Sequence, residues 1–263
     1  MDWKVYPNSR IAGLPQPLRP PALVARNVAR WRRARYVYEN DGLATSHYTP
    51  FLEDDKEFDD LYWRLEADWF PNWTLDLRWR MWILTRMARQ ASLLAGNFAE
   101  FGSYRGGCAA MILSTCQLPP ERRFYLFDTF TGLPEEQLTR RERRRNLGGH
   151  YADTSREHVE SLLREWREII EIREGDVFDT LPATETGELS LVHMDLNASA
   201  PTEAALEYAY PRMVPGAILV LDDYGGWRFE DQRRVIDEFF SDNPEGVTAL
   251  PTGQGLVIRG PRG

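Results

Sequence analysis

The chain has 263 residues, 43% hydrophobic and 27% charged, which suits one large globular domain with an extension or two small ones. Its formal net charge is −8 and its pI ≈ 5.2, so it has no general attraction for nucleic acid or for an anionic membrane. No apolar run approaches the ~20 residues of a membrane span and residues 1–10 hold no apolar signal core, so a cytoplasmic protein is expected.

In chain order, Pro15, Pro17, Pro20 and Pro21 break the first stretch into turns or extended chain. Residues 22–38 are expected to form an arginine-rich helix, and residues 51–66 a second helix carrying Phe51, Phe58, Leu61, Tyr62 and Leu65. Most of the nine tryptophans precede Leu94, which suits an acceptor wall or a contact between copies; a homo-oligomer is expected. Residues 1–73 are read as this extension and 74–263 as the main domain.

The main domain is expected to open with Thr74 capping an amphipathic helix of Leu77, Met81, Leu84, Met87, Ala91 and Leu94, stopped by Gly96. Strands and helices then alternate. Strands are expected at 97–101, 123–127, 169–172, 189–194 and 217–221. Helices are expected at 105–117, from Thr154 with Glu157 completing a capping box, from Pro201 as first helical residue, and around Val235, Ile236, Phe239 and Phe240. Residues 247–250 and 256–258 read as a closing hairpin. Alternation of this kind implies a parallel sheet covered on both faces, with an antiparallel strand added at the end. Cys108 and Cys116 fall eight apart on one expected helix, about 12 Å along its axis and too far for a disulfide, so both read as buried thiols.

Ligands of open α/β sheets bind beyond the carboxyl ends of the strands. The first strand ends in Glu100-Phe101-Gly102-Ser103-Tyr104-Arg105-Gly106-Gly107, a glycine loop opening a helix. It is neither a dinucleotide fingerprint, since position 104 is Tyr, nor a phosphate loop; a tight turn without ligand is the alternative. Asp128 ends the second strand, placed either to accept two ribose hydroxyls or to cap the following turn. Asp176 is placed either to accept from an adenine amino group or to make a turn. Asp195 ends the fourth strand, and Asp222 and Asp223 end the fifth. Three converging carboxylates repel one another, and a divalent cation with oxygen ligands, such as Mg2+, resolves this. The alternative is that some of them cap helices or pair with arginine. Asn197 offers a further neutral oxygen.

Several pieces in order resemble the macrocin O-methyltransferase family, metal-dependent enzymes that methylate antibiotic sugars. They are 99–107, Phe127-Asp128-Thr129-Phe130-Thr131-Gly132-Leu133-Pro134, Asp179-Thr180-Leu181-Pro182, Val192-His193-Met194-Asp195, 210–216, Leu221-Asp222-Asp223-Tyr224 and 250–256. The resemblance implies a Rossmann-like class I methyltransferase fold: a seven-stranded, mostly parallel sheet with an antiparallel last strand, plus a helical N-terminal extension. It implies S-adenosyl-L-methionine held by Glu100, Gly102, Ser103, Tyr104, Arg105 and Gly106, with Asp128 and Thr129 on the ribose side, Asp176 near the adenine and Asp195 by the reacting end. It also implies Mg2+ on Asp195, Asp222 and Asp223. One departure stands out: the family's Asp-x-Asp-Leu-Tyr is here Asp195-Leu196-Asn197-Ala198-Ser199.

The expected activity is O-methylation of a small-molecule natural product at a sugar hydroxyl, with Asp195 as first candidate base and His150 as second. His193, inside a strand, reads as a core or supporting group. Residues 140–145 (Arg-Arg-Glu-Arg-Arg-Arg) are either a solvated helix face or a lid for an anionic acceptor. The alternatives are a catechol or phenol methyltransferase, and a catalytically silent cofactor-binding scaffold. A nicotinamide oxidoreductase lacks its glycine fingerprint here.

Overall fold

A computed structural model describes residues 36–69, 75–145 and 147–261. The chain divides into two compact units, Met1–Thr49 and Pro50–Gly263. Within the first unit, β1 (Tyr38–Asn40) pairs antiparallel with β2 (Leu43–Thr45). Asp41 and Gly42 both have positive φ, the backbone of a two-residue hairpin turn. The expected helix at 22–38 lies mostly outside the described residues, and its end is corrected: Tyr38 is in a strand.

The second unit begins with α1 (Pro50–Glu53) and α2 (Lys56–Trp69). Phe51 and Phe58 are buried and meet the Trp79 and Trp82 rings of α3 (Arg78–Ala91) edge-on at 5.2 Å each, which ties 50–66 to this unit. Thr74 lies outside the described residues; α3 starts at Arg78, with Leu77 before it and no side-chain cap.

β3 (Asn97–Phe101), α4 (Gly107–Thr115), β4 (Phe124–Asp128), α5 (Arg140–Arg144), α6 (Arg156–Leu162), β5 (Ile170–Glu174), α7 (Val177–Thr180), β6 (Leu189–Met194), α8 (Ser199–Ala209), β7 (Met213–Leu221), α9 (Glu230–Phe239), β8 (Thr248–Ala249) and β9 (Gly255–Ile258) follow. The sheet order is β5-β4-β3-β6-β7-β9-β8. β5 through β7 run parallel, and β9 is antiparallel to both neighbours. This is the expected seven-stranded sheet. Its central strand β6 is buried throughout because helices cover both faces, with Ser190 and His193 the polar residues among its apolar ones.

Four details differ from expectation. Ser155, not Thr154, caps α6, because the Thr154 hydroxyl donates to the Tyr104 carbonyl instead. Pro201 is third in α8, still within the first turn, where the backbone N–H has no helical partner to lose. β7 begins at Met213 and carries Pro215 and Gly216, its irregularity absorbed by a register shift against β6. Cys116 follows α4 and is buried, whereas Cys108 is partly exposed; neither forms a disulfide. No helix among the described residues is long and apolar enough to cross a membrane.

Candidate active site

The chain runs β3, β4, β5 to one side and returns through β6 and β7 on the other, so the sheet reverses between β3 and β6. The crevice at that switch point is where open sheets bind ligands. Its floor is set by register. Glu100 pairs with His193 and His193 with Val220; Phe101 pairs with Met194 and Met194 with Leu221. One step on, Asp195 N–H donates to the Phe101 carbonyl (2.8 Å) and Asp222 N–H to the Met194 carbonyl (2.9 Å). Gly102, Asp195 and Asp222 thus stand in a row where the ladder ends. Gly102 has φ +86°, and a Cβ there would lie 2.1 Å from the Asp195 carbonyl oxygen, so no other residue lets these strand ends meet.

The loop after β3 is braced by Asp128. Its Oδ2 accepts from Ser103 N–H (2.8 Å) and Tyr104 N–H (2.7 Å), and its Oδ1 from Phe130 N–H (2.7 Å). Burial lifts this carboxyl and the backbone donors pull against it, with a net rise. Three of about four acceptor positions are therefore used within the protein. Thr129 Oγ1 closes the same turn on the Gly132 carbonyl at 2.9 Å. Tyr104 Oη donates to Asp153 (2.7 Å) and Arg105 to the Asp153 carbonyl (2.7 Å), which pins the glycine loop to the segment before α6. Gly106, at φ +81°, precedes α4 with no side-chain cap, and the buried Ser103 hydroxyl has no hydrogen-bond partner. An uncapped helix start beside an unused hydroxyl suits the carboxylate of an amino-acid moiety. Asp176 caps α7 through Phe178 N–H (3.0 Å) and takes the Gln137 amide on its other oxygen.

Glu100 and His193 are both fully buried, joined Oε1 to Nδ1 at 2.9 Å. His193 Nε2 lies 3.9 Å from Asp222 Oδ1, too long for a hydrogen bond but close enough for charge attraction. Burial works against an imidazolium, yet Asp222 and Glu100 outweigh it and raise His193 to about 10. Burial raises Glu100.

The three acids read from sequence as an uncompensated cluster are not all uncompensated; the alternative, pairing with arginine, describes Asp222 and Asp223. Arg80 of α3 donates Nη1 to Asp222 Oδ2 (2.9 Å) and to the Asp222 carbonyl (2.8 Å), and sits 3.4 Å from Asp223 Oδ1. Gln254 Nε2 donates to Asp222 Oδ1 at 2.9 Å. Burial opposes its charge, but Arg80 and His193 hold the Asp222 carboxyl well below the usual range. Asp195 stands apart. It is partly exposed, and Asn197, at φ +58°, donates Nδ2 to its Oδ1 at 2.9 Å. Enclosure, Asp222 and Asp223 push its carboxyl well above the usual range.

His150 is exposed. Its neighbour Tyr151, at φ +65°, is the one whose phenol is raised by burial and by Asp195 and Asp223, and its ring meets Tyr104 edge-on at 5.4 Å. Of the run at 140–145, Arg140, Arg141, Arg143 and Arg144 are exposed. Arg141 and Arg145 pair with Asp231 and Glu230 of α9. The buried member is Glu142. Its Oε2 accepts from Thr139 N–H (2.7 Å) in a capping box and its Oε1 from Ser199 N–H (2.9 Å), so it caps α8, whose Ala198 cannot.

Among the described residues, the group of three His, Cys, Asp or Glu side chains with ligand atoms within 4.8 Å of one another is Glu100, Cys108 and His193, not the three aspartates. A partly exposed thiol with a buried imidazole and carboxylate is not the donor set of Mg2+. The aspartates have the right oxygen chemistry, but both Asp222 oxygens are engaged and a guanidinium stands against Asp223. As arranged, they do not fit the ion.

The sheet order, the glycine loop opening α4 and the acids at the β6 and β7 ends define a class I O-methyltransferase fold. Residues 50–248 match the macrocin-O-methyltransferase (TylF) family, and the chain belongs to it. It is similar to the 8-demethyl-8-(2,3-dimethoxy-alpha-L-rhamnosyl)-tetracenomycin-C 4'-O-methyltransferase of Streptomyces olivaceus, 28% identical over 138 residues, 49% of this chain and 53% of that protein. The chain thus spans about half the length of that relative. It is also similar to the mycinamicin III 3''-O-methyltransferase of Micromonospora griseorubida, 24% identical over 171 residues, 58% of this chain and 67% of that protein. Its fold is similar to the O-methyltransferase NovP, with TM-score 0.62 and 21% identity over 69% of this chain and 79% of that one. It is likewise similar to the calicheamicin methyltransferase CalS11, with TM-score 0.57 and 19% identity over 81% and 94%.

Proposed function

We propose that the protein is an S-adenosylmethionine-dependent O-methyltransferase that acts on a sugar hydroxyl of a small-molecule natural product. The observation that carries this is Asp195: partly exposed, in ladder step with the glycine loop and the acidic end of β7, with its carboxyl raised well above the usual range. A raised carboxylate is a better proton acceptor than an ordinary one. Bound S-adenosylmethionine supplies an electrophilic methyl on a sulfonium. Gly102, Ser103, Tyr104, Arg105 and Gly106 form the loop that would surround its amino-acid part, with the start of α4 and the Ser103 hydroxyl toward its carboxylate. Asp128 offers its remaining acceptor position toward the ribose, with Thr129 fixing that turn, and Asp176 lies on the adenine side. Glu100, closed to solvent, acts by fixing His193. Asp195 would accept the acceptor hydroxyl's proton and hold that oxygen for in-line attack, the methyl–sulfur bond breaking as S-adenosylhomocysteine leaves. His150 is the alternative base and must swing inward to serve; His150→Ala is expected to leave turnover unchanged. The absence of a disulfide fits a cytoplasmic enzyme.

Mg2+ on Asp195, Asp222 and Asp223 is a second reading, favoured by the charge left on Asp195. It requires Arg80 to leave. The test is S-adenosylhomocysteine calorimetry followed by a panel of glycosides and catechols. Asp195→Asn is expected to bind S-adenosylhomocysteine normally and lose about 100-fold or more in turnover. Undiminished turnover in that variant, or transfer confined to catechols, refutes the reading.

A further inference from the structure

The charged groups at the switch point alternate in sign. From the core outward they run Glu100, His193, Asp222, Arg80, Asp223, with separations of 2.9, 3.9, 2.9 and 3.4 Å. Each cation lies between two carboxylates. Only Asp195 stands outside the row. We propose that Arg80 is the resident cation of this site: its guanidinium takes the place a divalent ion would occupy beside Asp222 and Asp223, and the protein as folded holds no divalent metal there.

Three features support this beyond the contacts themselves. The Arg80 side chain is only 12% exposed, as is that of Asp222, so the pair is enclosed rather than a surface ion pair. The guanidinium is aimed by one further bond on the same residue, since Nη1 reaches the carbonyl of Asp222 as well as its carboxylate. Gln254, which follows the turn at Gly253, donates to the other Asp222 oxygen and to the Arg80 carbonyl (3.5 Å), so one side chain ties β7 to α3. A divalent ion entering here would have to break the enclosed guanidinium–carboxylate contact made by Nη1 and then share the space with a stranded positive charge. A purely structural pair would make no such demand on metal binding.

The proposal rests on reading these acids as the acceptor side of the site, but its test does not depend on which acceptor is methylated. Metal-stripped full-length protein is titrated with Mn2+, followed by electron paramagnetic resonance and calorimetry, for wild type, Arg80→Gln, Arg80→Lys, and Arg80→Gln combined with Asp222→Asn. Wild type and Arg80→Lys are expected to show no saturable site in the micromolar range. Arg80→Gln is expected to gain one site at least about tenfold tighter, which the added Asp222→Asn removes. S-adenosylhomocysteine binding in the same samples reports the cofactor site separately, so loss of that binding counts against the proposed function and not against this inference. A micromolar Mn2+ site in wild type that Asp222→Asn abolishes overturns the proposal. So does an Arg80→Gln protein that binds S-adenosylhomocysteine yet gains no Mn2+ site. If Arg80→Gln does not fold, the wild-type and Arg80→Lys titrations decide alone.

Discussion

Glu142 allows the most direct test of how the region around Asp195 is held. It is 3% exposed, and its two oxygens accept from Thr139 N–H at 2.7 Å and Ser199 N–H at 2.9 Å. Glu142→Ala strands two helix-start donors at once, one on α5 and one on α8. A lost cap costs about 1 kcal/mol, and a buried donor left without a partner about 1–3. Together these give a destabilisation of about 2–4 kcal/mol, or roughly 5–15 °C in melting temperature for a chain of this size. Glu142→Gln keeps one acceptor oxygen and is expected to lose about half as much. Arg144→Ala, on the exposed side of the same helix, is the control and should stay within about 0.5 kcal/mol. Thermal and urea unfolding followed by circular dichroism measure all three. A Glu142→Ala protein that melts within about 2 °C of wild type would show that water or a neighbour caps α8, and the reasoning would fail.

Other expectations concern the site itself. Gly102→Ala combines φ +86° with a 2.1 Å approach to the Asp195 carbonyl, so S-adenosylhomocysteine binding should be lost. Gly149→Ala, with φ +70° but no atom within 4 Å, should cost only the ~1–2 kcal/mol of the left-handed backbone in urea unfolding. His193 has a folded pKa of about 10 against an ordinary 6.5, so its charge pairing stabilises fully below pH 6.5 and is lost as pH climbs through 10. Urea unfolding across that window should decline more steeply for wild type than for His193→Gln; parallel curves would refute the charged imidazole. The exposure of Arg140, Arg141, Arg143 and Arg144 predicts an acceptor KM insensitive to salt. A steep rise would restore the anion-lid reading.

The sheet was legible because its central strands are mostly apolar runs: residues 189–194, polar only at Ser190 and His193, are read with the bounds the structure shows. Boundaries failed where a side chain had a tertiary partner. Thr154 is as good a cap as Ser155 on paper, and the Tyr104 carbonyl decides between them. β7 was read short because Pro215-Gly216 looks like a turn, whereas a register shift carries the strand through it. The capping box Thr139-x-x-Glu142 was readable, and the surrounding arginines hid it.

The site divides along the same line. The positions of Gly102, Asp195, Asp222 and Asp223 follow from strand ends, which sequence marks with a glycine or an acid after an apolar run. What compensates those acids does not follow. Arg80 lies 142 residues from Asp222 in sequence, and on α3 it looks no different from Arg78. Arg78 instead turns to Asp59 (2.6 Å) and Asp76 (2.6 Å). Two arginines two positions apart on a helix are turned about 200° from each other. The one beside buried Met81 therefore reaches the sheet, while the other stays with α2. A count of three converging carboxylates thus overstates the unbalanced charge. With His193 and Arg80 placed, Asp195 is the acid left to meet the reacting groups; the two cations pull its carboxyl down as well, but enclosure, Asp222 and Asp223 outweigh them and its affinity for a proton stays raised.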